Sequence, residues 1–189
     1  MKNDIVNQMT KFTKEDFAAR FAPLEQKRET PLKIGIVSDT HGSAFAVERA
    51  LEKLNGVDAL LHLGDVADDA AAMARRAPDV PCAWVRGNCD PFFAAPQELT
   101  LTIGGVKILM VHGHEDGVKY DLMNLYYHAL ECEARVALYG HTHVSNIDRQ
   151  GNVWLVNPGS AARPRMGRAP SCALLEIENG KAYPGVVLL

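Results

Sequence analysis

Five short apolar runs in this 189-residue chain each end in residues that bind metal ions or phosphate. Residues 34–37 run into Ser38-Asp39-Thr40-His41-Gly42, and 60–63 into Gly64-Asp65. Residues 82–86 run into Gly87-Asn88-Cys89-Asp90, 107–111 into His112-Gly113-His114, and 136–139 into Gly140-His141-Thr142-His143. A single D-x-H or H-x-H is more often a cap, a turn or a surface pair. Five such clusters, all at the ends of apolar runs, are hard to produce by chance. The ligand types are Asp39, His41, Asp65, Asn88, His112, His141 and His143. Seven N and O donors exceed the needs of one tetrahedral ion. They suit two ions when one carboxylate is shared, and an aspartate in the middle of the order is the natural bridge. Two ions about 3.5–4 Å apart clamp both oxygens of a phosphoryl displacement and acidify the attacking water. The chemistry implied is phosphate-ester hydrolysis. The mixed donors accept Mn, Fe, Ni, Co or Zn, with manganese the favoured expectation.

The clusters need a scaffold that brings strand ends together. Residues 33–37, 58–63 and 82–86 read as strands, with helices over 44–55 and roughly 68–76 between them. That βαβαβ order predicts parallel strands with helical crossovers. Loops past the C-terminal ends of such strands gather ligands. The second half differs. Residues 99–111 read as a hairpin turning at Gly104-Gly105. Apolar residues from Val118 to Ala129 recur at helical spacing, 135–139 is a further strand, and Gly151 and Asn179-Gly180 mark two more hairpins. The prediction is an α/β fold of two packed sheets with outer helices.

Residues 1–31 form a polar arm before a domain at 32–189. The arm holds three of the six phenylalanines, Phe12, Phe17 and Phe21. Thr13 and Asp16 make a capping-box pattern, so a short helix is expected. Its apolar face must dock, and a neighbouring subunit in a homo-oligomer is the expected site. Composition narrows the function. With 47% hydrophobic and 23% charged residues the chain is not disordered. A net charge of −3 without a basic stripe argues against a dedicated nucleic-acid surface. No apolar run nears the ~20 residues of a membrane helix, and the polar start does not resemble a signal peptide. Cys82, Cys89, Cys132 and Cys172 form no C-x-x-C pair, which points to reduced thiols in the cytoplasm.

The order Asp39/His41, Gly64-Asp65, Gly87-Asn88, His112 and Gly140-His141-Thr142-His143 resembles the calcineurin-like metallophosphoesterases. The steps from Asp39 through Asp65, Asn88 and His112 to His141 are 26, 23, 24 and 29 residues, similar to the compact phosphodiesterase branch. Asn157-Pro158-Gly159-Ser160 with Pro164-Arg165 matches that branch too. The resemblance covers about 32–189. It implies a four-layer α/β/β/α sandwich with two mixed sheets. It places Asp39, His41 and His143 on one metal, Asn88, His112 and His141 on the other, and Asp65 between them. It implies a metal-dependent phosphoric diester hydrolase acting on a small phosphodiester by attack of a metal-bridging hydroxide. Phosphomonoester hydrolysis and an interaction subunit of the same fold are the alternatives; all seven ligands being kept favours catalysis. Larger members usually place a histidine after the asparagine, where it helps bind or protonate the substrate. Here Cys89 stands there, a weaker acid near pH 7.

Other residues carry smaller expectations. His114 would contact phosphate or orient a ligand. His62 would pack in the core, and Asp68 and Asp69 would open a helix. His128 is expected on the surface. Asp90 would orient Asn88 or hydrogen-bond a ligand histidine. Asn157–Ser160 is expected to support the site edge, and Arg86, Arg163 and Arg165 lie beside motifs where a phosphodiester needs a cation.

Overall fold

The protein's structure, a computed structural model, describes residues 12–28, 30–91 and 95–189. The alternating apolar runs form ten strands in two five-stranded mixed sheets. The first sheet runs β10 (Lys181–Leu188), β9 (Ser171–Glu178), β1 (Leu32–Val37), β2 (Ala59–His62), β3 (Cys82–Trp84). β1, β2 and β3 pair in parallel, and β9 pairs antiparallel to β1. The second sheet runs β4 (Glu98–Ile103), β5 (Val106–Val111), β6 (Val136–Leu138), β8 (Val153–Asn157), β7 (Asn146–Gln150).

Helices α2 (Ala44–Lys53) and α3 (Ala67–Arg76) are the crossovers of the first sheet. Each buries one stripe, Ala46, Val47 and Ala50 on α2 and Ala67, Ala70 and Met73 on α3. α4 (Met123–Glu131) lays Leu125 and Ala129 on the outer face of the second sheet, against Leu109, Ala137 and Leu155. The larger core includes Ile34, Ile36, Leu60 and Leu61 of the first sheet with Leu99, Leu101, Ile108 and Met110 of the second. The result is the expected four-layer sandwich.

The second sheet is mixed, as the resemblance implies, since β6 runs parallel to both β5 and β8. Two details depart from the sequence reading. The C-terminal hairpin crosses back to complete the first sheet. α4 begins at Met123 rather than at Val118, because the chain turns through Gly113 and Gly117, both at positive φ. The hairpin at Gly104-Gly105 is as expected, with φ of 56° and 76°, the signs a tight two-residue turn requires.

The arm's docking also needs correction. Helix α1 (Lys14–Phe21) has the expected capping box between Thr13 and Asp16. Its Phe17 and Phe21 are 0% and 1% exposed within the single chain. The helix contacts β3 and β4, the edge strands at the same side of the two sheets. Phe17 meets the Trp84 ring edge-on at 4.8 Å, and Phe12 stacks on Phe17 at 5.6 Å. Lys14 reaches Glu98 at 3.0 Å. The apolar face is therefore covered in cis, not by a neighbouring subunit. The face expected to meet a second subunit in a homo-oligomer is thus already buried within the chain. Residues 1–11 of the arm lie outside the described residues.

Candidate metal centre

All five clusters sit just past strand ends on one rim of the sandwich. Those after β1, β2 and β3 come from the first sheet, and those after β5 and β6 from the second. Asp39 (φ 55°), His41 (47°), Asp65 (51°), His141 (64°) and His143 (60°) all have left-handed backbones. Such φ values cost a non-glycine residue on the order of 1–2 kcal/mol each and gather at functional sites. Residue type alone does not announce this strain, so the sequence reading missed it.

Glycines let the loops approach. A Cβ at Gly87 would strike the Asp65 carboxylate, and one at Gly140 would strike the Ser38 hydroxyl. Asp90 makes no side-chain hydrogen bond to Asn88 or to a candidate ligand histidine among the described residues. Its carboxylate accepts the backbone N–H groups of Asp65 (3.0 Å), Ala67 (2.6 Å) and Gly87 (2.7 Å), tying the loops after β2 and β3 together. Asp68 and Asp69 lie in the first turn of α3, and Asp69 also accepts the Gly42 N–H at 2.8 Å. Asn157 donates to the Gly140 carbonyl at 2.8 Å, and the Ser160 hydroxyl donates to the Asp39 carbonyl at 2.7 Å.

Asp39, His41, Asp65 and His143 each offer a ligand atom, all within 4.8 Å of one another. The Asp39 Oδ2 accepts from the Ser38 hydroxyl (2.7 Å) and the His141 N–H (3.2 Å). Its Oδ1 is buried and has no hydrogen bond among the described residues. His143 Nδ1 lies 2.6 Å from the Arg163 carbonyl. A carbonyl can only accept, so Nδ1 carries the proton and the neutral ring's lone pair is on Nε2. That atom is 3.1 Å from Asp39 Oδ1 and 3.2 Å from His41 Nε2.

Further contacts lie on the other side of Asp65. His112 Nδ1 donates to the Leu63 carbonyl at 2.7 Å. Its Nε2 therefore faces Asn88 Oδ1 at 3.2 Å and Asp65 Oδ1 at 3.5 Å. Asp65 Oδ2 faces His41 Nε2 at 3.8 Å, so the carboxylate stands between the two groups. The His141 ring is 5.1 Å from that of His112. Lone pairs converging on carboxylate oxygens repel unless a cation or proton lies between them, and the Asp39, His41, Asp65 and His143 donor set fits a divalent metal ion.

Without metal, protons sit at these contacts: burial opposes a charged His112, but the Asp65 hydrogen bond and the Asp39 and Asp65 charges outweigh it and raise its pKa, and the hydrogen bond to Asp39 raises that of His143. Burial works to raise the Asp65 pKa, but the His112 hydrogen bond and charge and the Cys89 N–H outweigh it and hold the carboxyl well below its usual range. Burial likewise opposes ionisation of Asp39, and His143, His112 and Ser38 overcome it. Burial, with the charges of His112 and Lys119, depresses His141 to about 4, which keeps its ring neutral and able to bind metal.

Asn88 and Cys89 are exposed at the mouth, and the Cys89 N–H donates to Asp65 Oδ1 at 2.9 Å. Without metal, partial desolvation of the thiol and its hydrogen bond to the Asp65 carboxylate push Cys89 up to about 11. The His114 ring lies 5.9 Å from that of His141, and its Nδ1 is buried without a hydrogen bond among the described residues. His62 is fully buried. Its Nδ1 accepts the Gly64 N–H at 3.2 Å and its Nε2 lies 3.0 Å from the Thr40 hydroxyl. His128 is not a free surface histidine. Asp116 lies 2.8 Å and Glu98 3.1 Å from its two ring nitrogens.

A double-sheet α/β sandwich with a His/Asp cluster across its strand ends defines a metallophosphoesterase architecture. The calcineurin-like phosphoesterase superfamily domain matches residues 32–180, and the chain belongs to that family. It is 37% identical over 153 residues to a probable metallophosphoesterase, YsnB, of Bacillus subtilis, covering 80% of this chain and 88% of that one. It is 32% identical to the phosphodiesterase YfcE of Escherichia coli, over 77% and 88% of the two chains. A predicted phosphoesterase of Streptococcus pneumoniae superposes with a TM-score of 0.72 at 29% identity, over 85% of this chain and 91% of that one.

Proposed function

We propose that the chain is a two-metal phosphodiesterase of the cytoplasm. The observation that carries this is the Asp65 carboxylate, one oxygen toward His41 and the other toward His112, with a histidine-rich group on either side. In this reading Asp39, His41 and His143 hold one divalent ion, Asn88, His112 and His141 hold the second, and Asp65 serves both. Bound there, the ions would supply Lewis acidity and acidify the attacking water. The resemblance to a phosphodiesterase supports the diester preference.

The chain's own residues do the rest. The Arg163 and Leu63 carbonyls hold the Nδ1 protons of His143 and His112, so each ring would turn its Nε2 lone pair to an incoming ion without reorienting, once that ion displaces the Nε2 proton. The Asn88 side chain, exposed at the mouth, is placed to reach a phosphoryl oxygen. His114, half-buried beside His141, donates to or steers the phosphate. Cys89 carries its proton at neutral pH and stands at the leaving-group side as a weak acid.

The test is metal-reconstituted protein assayed against aryl diesters, aryl monoesters, cyclic nucleotides and pyrophosphates, with metal counted by mass spectrometry. Two manganese ions per chain and turnover favouring diesters are expected. A monoester preference would move the reading to a phosphomonoesterase. Metal binding without turnover of any ester would favour an interaction subunit.

A further inference from the structure

A pocket of about 560 Å³ opens beside the candidate metal centre, a volume within the range of small-molecule sites. It borders Thr142, between His141 and His143, and Arg165, whose N–H donates to the His143 carbonyl at 3.1 Å. The pocket and the centre therefore share a wall. Three cations line the pocket, Lys119, Arg165 and Arg168, against one acid, Asp121. All three cations are exposed, and none has a side-chain hydrogen bond or ion pair among the described residues. The stretch Arg163-Pro164-Arg165-Met166-Gly167-Arg168 carries three arginines and no acid in a chain of net charge −3. Local concentration of one sign on a mildly acidic protein is a focusing device for an opposite charge. Lys119 is close enough for its field to reach His141, and Arg165 for its field to reach His143.

A diester brings one negative charge to the metal centre, so three further cations exceed what it needs. The pocket also has an apolar rim. Tyr120 is 94% and Met166 87% exposed. Met166 is held outward in a left-handed turn, at φ 51°, with Gly167 following at 67°. An arginine-lined pocket with an aromatic and a thioether at its mouth suits a ring-bearing group that carries its own anion.

We propose that this pocket receives one ester arm of the substrate and selects an arm bearing a second anionic group. The inference rests on the phosphodiesterase reading and narrows its substrate class to diesters of already phosphorylated or carboxylated alcohols.

Two probes isolate the second anion: thymidine 5′-(p-nitrophenyl phosphate) and its 3′-phosphorylated form, which share leaving group and reacting phosphorus. With full-length, metal-loaded protein, the 3′-phosphate should raise kcat/KM about tenfold, the scale of one charge-assisted contact. Lys119→Gln and Arg165→Gln should each bring that ratio toward one. A ratio near one in the wild type, or one unmoved by both substitutions, overturns the pocket assignment and leaves the phosphodiesterase reading intact. Calorimetry with thymidine 3′,5′-bisphosphate and thymidine 5′-phosphate gives an answer independent of turnover. If neither ester is hydrolysed, the enzymatic reading fails. The pocket then stands only if the bisphosphate binds more tightly by a similar factor and loses that advantage in the variants.

Discussion

Asp65 faces a histidine with each of its oxygens, and no other residue in the proposed scheme serves both ions. Asp65→Ala should abolish aryl-diester turnover and lower metal content by at least one ion, while far-UV circular dichroism stays native. Two ions with near-normal turnover in that variant would falsify the shared-ligand assignment. Cys89 sets a second expectation. Even at an ordinary thiol pKa of about 8.5 its S–H is a weaker acid than an imidazolium, and without metal the pKa lies higher still. Rates should fall steeply from aryl to alkyl esters, and Cys89→His should help alkyl esters most. A rate that ignores leaving-group pKa would point to His114 as the donor. His62 links a residue to pH. Burial depresses its pKa from an ordinary 6.5 to about 4, so the folded ring stays neutral while the unfolded one protonates. Its contribution is intact above pH 6.5 and is lost as pH falls toward 4, up to about 3 kcal/mol. Urea unfolding at pH 7 and pH 4.5 should show a larger loss for wild type than for His62→Asn. Equal losses would mean that the ring is not neutral in the fold.

At the scale of elements, helix α1 acts as a plug over the edges of both sheets. Phe17→Ala opens a cavity beside Trp84 and should cost about 3–5 kcal/mol in denaturant unfolding, with metal content unchanged. A cost below about 1 kcal/mol would mean that the plug contributes little. The helix itself was legible, because a capping box is a local pattern. Its docking site was not, because β3 and β4 become neighbouring edges only once both sheets exist. The same division runs through the chain. β1, α2, β2, α3 and β3 follow from periodicity, and the Gly104-Gly105 hairpin follows from backbone freedom. The return of β9 and β10 to the first sheet is a long-range pairing with no local signal. The site divides likewise. The ligand-type residues stand out by kind and place. Asp90's three backbone contacts and the carbonyls behind His112 and His143 are invisible until the loops are folded.

At the scale of the molecule, the rim draws three loops from one sheet and two from the other. Ions bound there bind the folded state and not the unfolded chain, so they should stabilise the whole sandwich. At a hundredfold excess over Kd the gain is about 2.7 kcal/mol, or roughly 5–10 °C in Tm for a chain of this size. Thermal unfolding with manganese and with chelator measures it, and Asp65→Ala should show a smaller rise. The left-handed backbones on that rim carry one further consequence. Asp39, His41, Asp65, His141 and His143 hold conformations that glycine would occupy without penalty. With no ion bound, that local strain has no compensation. Chelated His141→Gly, freed of one strained residue, should melt no lower than chelated wild type. Relatives released from catalysis would be expected to drift toward such replacements. Their gain in robustness would come at the cost of the reaction, a trade-off written into five backbone angles.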